Sequence, residues 1–185
     1  MGDKMKKMLI AFIMVLFLTG CNNDLMNTPT KRVETMLNNY VTLDEEVVDD
    51  LDNTLLEETV MTNEQKSRYK DILKRQYQNL SYEIKDETID GDTATVEVEI
   101  EVYDYRKIID AADDYLNNNQ DEFLTEDGTT TDISKFNDYK LDLLEEAKDK
   151  VTYTLNLTLK KVDDKWTLDD LTDTEISKIH GLYTY

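Results

Sequence analysis

One cysteine, one histidine and 41 carboxylates are the side chains most able to do chemistry in this chain. Cys21 is the sole thiol, so no intramolecular disulfide can form, and covalent modification is the simplest use for it. It ends the stretch Leu18-Thr19-Gly20-Cys21, which closes an apolar run from Met8 to Leu18. The carboxylates gather as Asp44-Glu45-Glu46, as Asp49, Asp50 and Asp52, and as Asp169, Asp170 and Asp173. Such clusters could hold divalent ions weakly if they converged, but their spacing fixes no coordination geometry and a solvated acidic face accounts for them. Asp86-x-Thr88-x-Asp90-Gly91, followed by Glu97, imitates the ligand spacing of a helix-flanked calcium loop. Thr93 stands where such a loop needs an apolar residue, and the flanks alternate like strands, so Asp90-Gly91 reads as a hairpin turn. His180, beside Gly181 near the end of the chain, reads as an exposed terminal residue. There is no Gly-x-Ser-x-Gly elbow, His-Glu-x-x-His, phosphate-binding loop or dinucleotide fingerprint. The expectation is a non-catalytic protein with neither metal nor cofactor.

The formal net charge of −20 excludes a nucleic-acid partner, because affinity for a phosphate backbone comes chiefly from Lys and Arg. The same charge opposes lying flat on anionic lipid. Leu18-Thr19-Gly20-Cys21 resembles the lipobox of bacterial lipoproteins, with Lys6 and Lys7 as the charged segment before the apolar run. That run is too short to span a bilayer core, which needs about 20 apolar residues. The resemblance implies cleavage between Gly20 and Cys21 and a diacylglyceryl thioether on Cys21. Residues 1–20 would then be a lipoprotein signal peptide, 21–28 a tether, and 29–185 a single domain. The location it implies is the extracytoplasmic face of a bacterial cell membrane, by the same resemblance Gram-positive.

The elements that must position any site follow from periodicity. Thr28-Pro29 starts a helix over 29–41 whose apolar face is Val33, Met36, Leu37 and Tyr40. Val47, Val48, Leu51, Leu55 and Leu56 define a second helix with an acidic opposite face. Thr62-Asn63-Glu64-Gln65 is a capping box for a third, carrying Tyr69, Ile72, Leu73 and Tyr77. The period then becomes 2: Leu80, Tyr82 and Ile84, then Ala94, Val96, Val98, Ile100 and Val102 interleaved with Glu97, Glu99 and Glu101. Helices are expected over about 105–116 and 134–150, the second burying Phe136, Tyr139, Leu143 and Ala147, with 117–132 as a long polar loop. A second hairpin runs from Val151 through the turn Val162-Asp163-Asp164-Lys165 to Trp166 and Leu168, and Asp173 caps a last short helix. The class is α+β: an antiparallel sheet of about four strands, in two hairpins, against N-terminal helices, with a helical insertion between the hairpins.

This order, with Leu159-Lys160-Lys161-Val162-Asp163-Asp164-Lys165-Trp166-Thr167-Leu168, resembles the nuclear-transport-factor-like (cystatin-like) superfamily, whose layout many Gram-positive envelope lipoproteins share. The resemblance implies a curved sheet around the N-terminal helices with a pocket at its open end. Tyr82, Tyr103, Tyr153 and Trp166 are the candidates to line that pocket or fill the core. The expected function is a lipid-anchored binding or interaction module of the envelope. It is held at the membrane through Cys21, and its partner is an envelope protein, a peptide or a small ligand. The alternatives are an isomerase-like enzyme with a pocket carboxylate and an acidic, calcium-responsive surface module.

Overall fold

The computed structural model describes residues 27–184, so Gly20, Cys21 and the signal segment lie outside the described residues. Helix α1 (Pro29–Thr42) begins where the Thr28 side chain accepts a hydrogen bond from the Lys31 amide, with Pro29 in the first turn. It stops at Leu43, which adopts a left-handed φ of 54°. Asp44 caps α2 (Glu45–Glu57), and Thr62 with Gln65 forms the reciprocal capping box of α3 (Asn63–Gln78).

Four strands follow as a wholly antiparallel meander in sequential order: β1 (Ser81–Asp90), β2 (Thr93–Tyr103), β3 (Lys150–Val162) and β4 (Lys165–Leu168). Ala94, Val96, Val98, Ile100 and Val102 of β2 are all buried, opposite Leu159, Leu157, Leu155, Tyr153 and Val151 of β3. At about 1.5–3 kcal/mol for each large apolar side chain, this face pins the register, because a one-residue slip would drive Glu97, Glu99 and Glu101 inward. Helix α1 packs on this face against β1, β2 and β4. The first hairpin turns through Gly91 and Asp92, and only Gly91 has a positive φ, 60°, the sign pattern of a II′ turn. The second turns through Asp163 and Asp164, both with positive φ, as in a I′ turn.

A bulge at Lys85 interrupts β1 between Ile84 and Asp86. Before it, Tyr82 and Ile84 share the core face of Ile100 and Val98; after it, Glu87 and Ile89 take that face opposite Val96 and Ala94. Glu87 is thereby brought to the start of α1, where its carboxylate accepts from the Thr30 amide at 2.9 Å and from the Thr30 hydroxyl at 2.7 Å. Negative charge at a helix N-terminus is favourable there.

Between the hairpins lie α4 (Tyr105–Asn118) and α5 (Ile133–Glu145). The segment expected as a plain loop holds a 3₁₀ turn, Gln120–Phe123, and an antiparallel bridge from Leu124 to Thr131. Ala112, Phe123 and Phe136 form its small core, with Tyr139 and Leu143 half-buried around them. Helix α5 ends about one turn earlier than its apolar pattern suggests, because the chain must already be extended at Lys150 to pair with Tyr103. The inward residues near its end are Leu141 and Leu144, packed with Ile72, Tyr105 and Ala147.

A polar seam fastens this insertion to α3. Buried Gln65 donates to the Ser134 carbonyl and to Asp138, Arg68 pairs with Asp142 and Glu145, and Arg75 donates to the Leu144 carbonyl at the α5 C-terminus. Fully buried Gln76 binds both backbone groups of Tyr103, each at 2.9 Å, standing in for a missing neighbouring strand. The chain closes with α6 (Asp173–Ile179), capped by Thr172 with Glu175 and not by Asp173. Thr172 has the extended φ/ψ of −73° and 159° that an N-cap requires, so Asp173 becomes the first helical residue.

Candidate functional site

The core face of the sheet is packed shut, with Val96, Val98, Ile100, Val102, Leu155 and Leu159 fully buried. The concave feature with chemical character lies instead among the helices, a cleft of about 440 Å³ between α1, α2, α3 and α6. Tyr40 reaches it from the end of α1; Tyr69, Leu73 and Tyr77 come from successive turns of α3; Ile176 and His180 come from α6 and its C-cap. Helix α2 supplies the far wall through Leu51 and Leu55, and the lip through Asp50 and Glu57.

These positions follow from local folding. Tyr69 and Tyr77 are eight residues apart and share a helix face with Leu73 and Ile72. Leu43 turns the chain sharply enough for α2 to fold back beside α3, where Lys70 pairs with Asp52. Gly181, at φ 69°, lets the chain leave α6 tightly packed under Tyr103, and that close approach sets His180 against Tyr77.

The geometry is an aromatic chain. Tyr40 meets Tyr77 edge-on with centroids 5.0 Å apart, and Tyr77 lies 5.6 Å from the imidazole. The Tyr77 hydroxyl and His180 Nε2 share a hydrogen bond of 2.8 Å, in which a neutral imidazole can take either role. Burial lowers the His180 pKa from 6.5 to about 4, so the ring is neutral at physiological pH. Burial raises Tyr69 to about 12, and raises Tyr77 and Tyr40 as well, with the Asp50 charge adding to the last two. These four rings titrate far from neutral pH. They can donate and accept hydrogen bonds and present ring faces, but a general acid or base works best with a pKa near the operating pH.

The four aromatics singled out in the sequence lie elsewhere. Tyr153 and Trp166 are buried in the sheet core, and Tyr82 and Tyr103 are half-buried. The Tyr82 hydroxyl donates to Asn38, Tyr103 stacks on Tyr105 under the Arg75 guanidinium, and the Trp166 amide donates to the Asn27 side chain. None of the four lines the cleft. His180, expected exposed, is half-buried and bonded. The calcium-like residues sit in the first hairpin, with Asp86 directly opposite Glu97. Among the described residues, no group of three or more His, Cys, Asp or Glu side chains is placed to hold a metal ion. A second groove beside Tyr153 is bordered by Arg106, Lys107 and Asp110, whose charges are already taken by the Arg106–Asp110 and Lys107–Asp149 pairs. No helix among the described residues is long and apolar enough to cross a membrane.

No family model matches this chain, and no curated protein matches it. Among solved structures, it is similar to a crystal structure from Bacillus subtilis subsp. subtilis str. 168 described as a candidate lipoprotein (ycdA). The match has 18% sequence identity and a TM-score of 0.41; it covers 96% of this chain and 55% of the Bacillus chain.

Proposed function

We propose that this protein is an envelope lipoprotein, anchored through a diacylglyceryl group on Cys21, whose extracytoplasmic domain binds a small ligand without chemical change. The anchor rests on the lipobox-like Leu18-Thr19-Gly20-Cys21 and the short apolar run before it. The binding role rests on one observation above all, the cleft walled by Tyr40, Tyr69, Tyr77 and His180. Its volume falls within the range of about 300–1,000 Å³ usual for small-molecule sites. An isomerase-like enzyme would need a carboxylate enclosed in that cleft, and Asp50 stands exposed at its lip. The nuclear-transport-factor-like reading belongs to the same proposal, supported by the helix-backed antiparallel meander.

Two experiments test it. In a Gram-positive host the full chain should fractionate with membranes, and Cys21→Ala should release it or leave an uncleaved precursor. Normal processing with unchanged retention would refute the anchor. A defined library of soluble small molecules should yield compounds that move the imidazole NMR signals of His180. Thr54→Trp, which fills the cleft from α2, should abolish those shifts; equal shifts in the variant would place binding elsewhere.

A further inference from the structure

We infer that the cleft takes a small organic cation with an ammonium head, a step that rests on the cleft being the binding site. Tyr40, Tyr69 and Tyr77 bring three electron-rich rings to one cavity, and ring faces attract a cation more strongly than its neutral counterpart. The only formal charges among the lining side chains are the carboxylates of Asp50 and Glu57, and no Lys or Arg is among them.

Asp50 is the better placed of the two. It lines the cleft at its lip together with Tyr40 and Tyr77, and its charge helps hold the protons on their hydroxyls. Asp52, on the same helix, is neutralised by Lys70, whereas the Asp50 carboxylate makes no hydrogen bond or ion pair with the described residues. The neutral imidazole of His180 adds no opposing positive charge. An anion entering the cleft would meet two carboxylates and no cation, while a chain of net charge −20 steers cations inward.

Choline is the probe and 3,3-dimethyl-1-butanol the control, since the two share a shape and differ in charge. Each is titrated into the full chain in non-ionic detergent, with affinity read by calorimetry and location by the His180 imidazole signals. Choline should bind about tenfold or more tightly than its neutral isostere. Asp50→Asn should weaken choline about fivefold to tenfold and leave the isostere unmoved, and added salt should weaken choline alone. Phosphatidylcholine vesicles run beside free choline distinguish a lipid head group from a soluble amine, and binding of either supports the inference. Neutral or anionic compounds entering the cleft as well as choline does would overturn the cation inference and leave the cleft in place. Signals of His180 unmoved by every compound, in this titration and in the library, would overturn both.

Discussion

Lowering the pH from 7 to 5 should remove about 2 kcal/mol of folding stability through His180 alone. Burial against Tyr77 holds the native imidazole near 4, while the unfolded chain titrates it at the ordinary 6.5. Well above pH 6.5 neither state carries the proton, so the contribution is fully present there. Between 6.5 and 4 the unfolded chain binds a proton that the native state refuses, and the equilibrium moves towards unfolding as the pH falls. The binding polynomials give about 2 kcal/mol at pH 5 and a limit of about 3.4 kcal/mol well below pH 4. The chain's many carboxylates act in the opposite direction, because acidification relieves the self-repulsion of a net charge of −20. The informative quantity is therefore a difference. Urea unfolding of the wild type and of His180→Gln should be compared at pH 7 and pH 5, the variant having no group to titrate at that site. The wild type should lose about 2 kcal/mol relative to the variant. Because the chain has one histidine, imidazole NMR reports its pKa without ambiguity. Parallel pH profiles for the two proteins, or an imidazole titrating near 6.5, would refute the neutral, desolvated histidine.

Two further substitutions probe the framework that holds the cleft. Gly181→Ala places a Cβ against the Tyr103 carbonyl and the Gln76 side chain, at a φ of 69°. Left-handed strain and overpacking together should cost about 2–5 kcal/mol in urea unfolding, and a neutral effect would show that α6 is not packed this closely. Trp166→Ala should cost about 3–5 kcal/mol, since the ring is only 8% exposed in the sheet core. The intrinsic fluorescence of this single tryptophan should be blue-shifted in the folded protein, and a spectrum like that of free indole would place the ring in water.

How much of this was legible beforehand depends on the range of each signal. Thr28-Pro29 and Thr62 with Gln65 announced their helices because a cap acts within one turn of its own sequence. The five alternating apolar residues of β2 announced a half-buried strand for the same reason, since period and burial face are local. The bulge at Lys85 was not legible: Ile84, Glu87 and Ile89 share a face only after one residue is left unpaired, and pairing with β2 decides that. Thr172 and Asp173 are both good capping residues, and the backbone direction entering α6 chose between them. Phe136 was readable as core, while Tyr139 and Leu143 lost the interior to Leu141 and Leu144, because α5 turns its face towards α3.

The cleft lay furthest from view. Tyr40, Tyr69 and Tyr77 read as ordinary apolar-face aromatics, and only their hydroxyls, polar ends on a buried stripe, hinted at a wet or bonded neighbour. By itself the sequence determined the α+β class, the two hairpins, most helix starts and the acidic solvent face, all carried by residues within about ten positions of one another. Tertiary structure alone decided which aromatics line a cavity, that the sheet face is filled, and that His180 is neutral beside Tyr77. Those two residues stand 103 positions apart and no local signal announces their meeting; it comes from the close approach of Gly181, just past α6, to Gln76 and Tyr103.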